Sequence, residues 1–134
     1  MGISLFDRQT GDEPVFNTNF WHWGAIVEAI RSTRTLPDAL VDGLHVPFCG
    51  NGLSAEQARS VAAALRAKVI PALAVDEWLG LDQAVSTNQN EGPAGGFTAA
   101  AARGEDLSYL YQTNRAALES FAEYCEICNG FDVM

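Results

Sequence analysis

Apolar and polar positions along the chain change period several times, and each change marks a predicted element. Ile3-Ser4-Leu5-Phe6 has strand character, Gly11-Asp12 reads as a turn, and Val15-Phe16 resumes after Pro14, so the pattern predicts an N-terminal hairpin. Thr18 or Asn19 can cap a following helix in which Phe20, Trp23, Ile26, Val27 and Ile30 recur at helical spacing. That stripe is expected to face the core, with Trp21 and Glu28 on the far side. A short helical turn is expected after Pro37 through Ala39-Leu40-Val41, ending near Gly43. Val46 precedes Pro47 and should be extended, and Gly50-Asn51-Gly52 reads as a turn.

Ser54 and Gln57 have the spacing of a capping box. Ala58, Val61, Ala62, Leu65 and Val69 then form the apolar stripe of a helix that Pro71 should stop. The stretch 73–81 is apolar without a clear period, and a short helix is expected there. Residues 86–96 are rich in Gly, Asn and Gln and read as a flexible loop. Glu105 and Asp106 suit the positive end of a further helix, while Thr113-Asn114 reads as a break and a new cap. The last helix is expected from Arg115 to about Asn129, with Gly130 past its end and Phe131-Asp132-Val133 as an edge strand beside the hairpin. Together these elements predict an α+β fold, helix-dominated, in which a small antiparallel sheet is packed by three or four helices.

Composition narrows the class. The 134 residues match one ordinary domain, and a content of 48% hydrophobic against 19% charged residues is globular and not disordered. No apolar run is long enough to span a bilayer, and the first ten residues are too polar for a signal peptide, so a cytoplasmic protein with no membrane association is expected. Three cysteines without a secretory signal read as thiols.

The formal charge of −9 is uneven along the chain. Residues 1–68 hold six basic and seven acidic side chains, whereas 69–134 hold two basic and ten acidic ones. Such a field repels nucleic acid and anionic lipid and attracts basic protein surfaces. It also serves solubility, which requires no partner.

Candidate chemistry is sparse. Cys125-x-x-Cys128 with His45-x-x-x-Cys49 contains a complete set of zinc ligand types. Against a zinc site, the two pairs are far apart in sequence, and Leu118, Phe121, Cys125 and Cys128 share one helical stripe, which favours buried thiols. A redox role is disfavoured because the pair closes a helix and is flanked by Glu123 and Glu126. Cys49, with His45 or His22 as base, is a weaker nucleophile candidate, and His22 reads as a half-buried, hydrogen-bonded histidine. Glu119, Glu123 and Glu126 line one face of the last helix, and with Trp21 they form the candidate partner-binding set.

Two segments carry a resemblance: Gly2-Ile3-Ser4-Leu5-Phe6 with Phe20-Trp21-His22-Trp23, and Phe121-x-x-Tyr124-Cys125-x-x-Cys128-x-Gly130-Phe131-x-Val133. They resemble an uncharacterised family of short acidic bacterial proteins, some of which look like toxin-immunity proteins. The resemblance implies no catalytic residue. The expected function is an acidic protein-binding module docking on a basic partner, as an immunity-type inhibitor or nucleic-acid mimic would. The alternatives are a small zinc-binding or thiol-dependent enzyme using His45, Cys49, Cys125 and Cys128, and a homodimer that buries Trp21.

Overall fold

Strand β1 (Gly2–Asp7) alternates outward and inward side chains, which sends Ile3, Leu5 and Asp7 to the covered face. It pairs antiparallel with β2 (Val15–Asn19), Leu5 opposite Phe16, and this is the expected hairpin. The structure is a computed structural model that describes residues 2–11, 13–46 and 51–134. Within it the chain has an α+β fold of five α-helices and two small antiparallel sheets.

β3 (Gly52–Leu53) and the C-terminal β4 (Phe131–Val133) complete the first sheet, in the spatial order β2, β1, β4, β3. The tail does join the hairpin, but as an interior strand instead of the expected edge: Val133 lies opposite Leu5 on one side, and Asp132 opposite Gly52 on the other. Gly52 is therefore part of a strand, while Gly50 of the expected turn lies outside the described residues. A Cβ there would overlap the Phe131 carbonyl, so only glycine permits the two strands to close.

Helix α1 (Phe20–Ser32) starts where the Asn19 side chain accepts the His22 N–H at 2.8 Å. Its buried face comprises Trp23, Ile26, Val27 and Ile30, with Phe20 only partly covered. The Trp23 indole N–H donates to the Leu44 carbonyl at 2.8 Å and ties α1 to the end of α2 (Asp38–Leu44). Helix α3 (Ala55–Ala64) opens with the Ser54/Gln57 capping box, both hydrogen bonds present. The chain then widens into a π turn at Leu65–Val69 and tightens into a 3-10 turn at Ile70–Ala72, where Pro71 has no N–H with which to continue the ladder.

The last helix, named α5 because a short α4 (Phe97–Ala102) precedes it, spans Arg115–Ile127 under an Asn114 cap that accepts the Ala117 N–H. Leu118, Phe121, Cys125 and Cys128 are all fully buried. Phe121 is the hub of the core. Its ring meets Phe16 at 5.5 Å, Trp23 at 5.6 Å and Phe131 at 6.2 Å, each edge to face, so one side chain joins sheet, α1 and α5.

The second sheet was not expected. Residues 73–81 form no helix: Trp78–Gly80 is a strand, β5, flanked by β6 (Val85–Ser86) and β7 (Gln112–Asn114). Leu79 lies opposite Thr113, so the backbone groups of an aperiodic apolar run are satisfied by a segment over thirty residues away. Nor does a helix open at Glu105-Asp106. The Asp106 carboxylate accepts the Ser108 N–H and begins a single 3-10 turn, Ser108–Leu110, whereas the helix lies earlier, in the alanine run of α4, and ends at Gly104 with φ +73°. No helix among the described residues is long and apolar enough to cross a membrane.

Candidate functional site

The acidic face of α5 is built as its spacing requires, but the fold supplies it with arginines. Arg66 lies on the π turn after α3 and grips Glu126 with two hydrogen bonds of 2.8 Å. Arg115, one turn before Glu119 on the same helix, binds it at 2.9 Å. Glu123 is exposed and has no cation partner among the described residues. The Arg66 hydrogen bonds hold the Glu126 carboxyl below its ordinary pKa, so it stays ionised within this pair.

Trp21 is half-buried. Its ring lies 4.5 Å from Phe20, 4.8 Å from Tyr111 and 5.3 Å from Phe97, so the far side of α1 is layered by the second half of the chain. Gly24, three residues on, accepts the Tyr111 ring directly against its backbone, where a Cβ would collide with it. His22 is half-buried and its Nδ1 lies 3.0 Å from the Thr113 hydroxyl, which fastens α1 to β7. Burial pulls the His22 pKa below its usual value.

The two described thiols are sealed in the core. Cys125 and Cys128 are fully buried, and burial raises both pKa values, which suppresses the thiolate. His45 lies elsewhere, with Nε2 2.8 Å from Glu28, which also binds Arg31. Cys49 lies outside the described residues. Among the described residues no group of three or more metal-ligating side chains gathers.

What the sequence reading did not isolate is the segment 73–112, which contains β5, β6 and α4. It carries Asp76, Glu77, Asp82, Glu91, Glu105 and Asp106 against one cation, Arg103, and so holds a net charge of −5. Among the described residues only Glu105 is ion-paired, with Arg103 at 2.8 Å. Glu77, Asp82 and Asp106 each accept a hydrogen bond from a nearby backbone N–H, at Ala74, Ala84 and Ser108. These bonds orient the carboxylates without neutralising them.

Several clefts open on this segment; one of about 400 Å³ is lined by Asp82 together with Arg31 and Arg34, and two others share Asn90 and Gln112. The larger of these two, about 430 Å³, lies between the β5–β6 hairpin and the 3-10 turn and is lined by Asp82, Ser86, Asn90, Tyr109 and Gln112 among others. The smaller, about 210 Å³, is lined by Trp21, His22, Phe97, Asn90 and Gln112. The Asn90 N–H donates to Gln112 Oε1 at 2.8 Å and its side-chain amide to the Tyr109 carbonyl at 2.8 Å, so this pair pins the 86–96 loop to β7.

No family model, curated protein or solved structure matches this chain. Any function therefore has to be argued from the site itself. Asp82, Tyr109 and Gln112 escaped the sequence reading because they are far apart and lack a motif. The available signal was the near absence of lysine and arginine between 73 and 112.

Proposed function

We propose that this protein is an acidic binding module that docks on a basic partner protein, in the manner of an immunity-type inhibitor or a nucleic-acid mimic. The observation that carries the reading is the concentration of unpaired carboxylates on one segment. Arg115 and Arg66 engage Glu119 and Glu126 at the surface, while the segment 73–112 retains a net charge of −5 around open clefts. A concentrated negative field of this kind accelerates encounter with a positive surface and rejects nucleic acid and anionic lipid. The half-buried Trp21 and the exposed Phe97 and Tyr109 supply aromatic area beside the charge, the combination from which interface anchors are drawn.

The test is a titration of the whole protein with an arginine- and lysine-rich peptide and with a glutamate-rich peptide of equal length. Support would be binding of the basic peptide alone, weakened when Asp76, Glu77 and Asp82 are changed together to their amides. Equal binding of both peptides, or of neither, removes the proposal.

A further inference from the structure

Gln112 stands out among the residues around the larger cleft. It is 6% exposed, and its Oε1 is occupied by the Asn90 N–H, which fixes which end of the amide is which. Its Nε2 has no hydrogen-bond partner among the described residues. Tyr124 Oη is the only sealed side-chain polar atom there without a partner, so Gln112 Nε2 keeps access to the clefts it borders. A donor left open to the cleft in an otherwise satisfied, buried side chain is available to a ligand acceptor in place of water.

The opposite requirement is met across the same cleft. Asp82 is exposed, has no cation partner among the described residues, and is aimed by its bond to the Ala84 N–H at 3.0 Å. Its carboxylate folds back against Gly80, where a Cβ would lie 2.9 Å from Oδ1, so glycine at this point makes room for that orientation. Tyr109, 43% exposed, lines the cleft with a ring that stacks on no other aromatic among the described residues. One open donor, one unpaired carboxylate and one unstacked ring therefore share a space of about 430 Å³.

We infer that this cleft receives an arginine side chain carried on an extended segment of the partner. The guanidinium pairs with Asp82 and stacks on Tyr109, and a main-chain carbonyl of the same segment accepts from Gln112 Nε2. A planar cation satisfies carboxylate and ring together, which a lysine ammonium does less well. An anionic ligand would fill the donor but meet the Asp82 carboxylate, the one charged side chain among the described residues that line this cleft. This assignment rests on the docking reading above and specifies where and what it recognises.

The experiment uses the full chain, isotopically labelled, titrated with an arginine-glycine repeat peptide and with its citrulline counterpart, a neutral isostere. Amide shifts are expected to cluster at Asp82, Ser86, Asn90, Tyr109 and Gln112 with the arginine peptide, and to be at least about tenfold weaker in affinity with citrulline. Asp82→Asn and Tyr109→Ala, both at exposed positions, should each weaken arginine binding about fivefold while leaving the rest of the spectrum folded. Equal affinity for citrulline overturns the assignment. Salt-sensitive binding whose shifts map elsewhere on 73–112 also overturns it but leaves the docking reading standing, whereas shifts confined to α5, or no binding by either peptide, remove both.

Discussion

The Asp7 carboxylate accepts the backbone N–H of Asn129 at 2.7 Å, joining the end of the first strand to the turn that begins the last. Strand alternation places Asp7 on the covered face, where it is 1% exposed, so an ionised group must be fully satisfied there. The Gln9 and Thr10 N–H groups at 2.8 and 3.0 Å and the Asn129 side-chain amide complete the set. One buried acid thus closes both chain ends onto the same sheet.

Replacing this acid should be costly. Asp7→Ala strands three backbone donors in a covered site, and a loss of about 2 to 4 kcal/mol is expected in urea unfolding at neutral pH. Burial works to raise the Asp7 pKa, but its hydrogen bonds outweigh burial and the net direction is down. A depressed carboxyl pKa gives stability that is complete above the unfolded value near pH 4 and is lost as pH falls through the folded value. Asp7→Asn should therefore lose less stability than the native chain between about pH 4 and pH 2. A parallel loss in both proteins would contradict this.

His22 provides a second, separate pH dependence. Its folded pKa is lowered by burial from an ordinary value of 6.5, so the unfolded chain binds the proton first. Stability is complete above that ordinary value and declines as pH falls from it through the folded value. Comparing unfolding midpoints of the native chain and His22→Gln at about pH 7.5 and pH 5 checks it, and the native chain should show the larger fall.

Two glycines should tolerate no side chain, for different reasons. Gly52→Ala drives a Cβ into the Phe131 carbonyl, a backbone atom, and should cost about 2 to 4 kcal/mol with loss of the β3–β4 pairing. Gly24→Ala meets only the Tyr111 ring, which can swing aside, so about 1 to 3 kcal/mol is expected, with hydrogen-exchange protection lost mainly in β7 and its neighbours. A Gly24→Ala protein with unchanged β7 protection would refute the contact.

The buried thiols should be silent. Cys125 and Cys128 are expected to resist an aromatic disulfide reagent in the native protein and to react after unfolding, as followed by peptide mapping that separates them from Cys49. Prompt native modification of either would show that the core stripe of α5 is open.

Local signals were legible in the sequence wherever a few adjacent residues decided the structure. The Ser54/Gln57 box, the Asn114 cap, the hairpin and the α5 stripe each depend on neighbours within one or two turns. Gly130 has the expected positive φ, +83°, but the helix ends two residues earlier than expected, at Ile127 with an extended Cys128 cap, so this glycine turns the chain into β4 instead of capping the helix. What escaped depends on distant partners. Trp78–Gly80 is too short to display a period, and only pairing with Gln112–Asn114 makes it a strand. The same distance hid the cleft, because Asp82, Tyr109 and Gln112 come together only through that second sheet. The α5 glutamates were visible as a face, but Arg66, on an element packed beside α5, could not be assigned to Glu126 from spacing.

On the proposed reading, the carboxylates of 73–112, and not those of α5, generate the field that a partner meets. Stopped-flow association with an arginine- and lysine-rich peptide, measured across ionic strength, tests this most directly. The rate should fall steeply with salt for the native chain and for the Glu119→Gln, Glu126→Gln double variant. It should fall much less steeply for the Asp76→Asn, Glu77→Gln, Asp82→Asn triple variant. A rate indifferent to salt, or a salt dependence removed by the α5 changes and untouched by the triple, would contradict it.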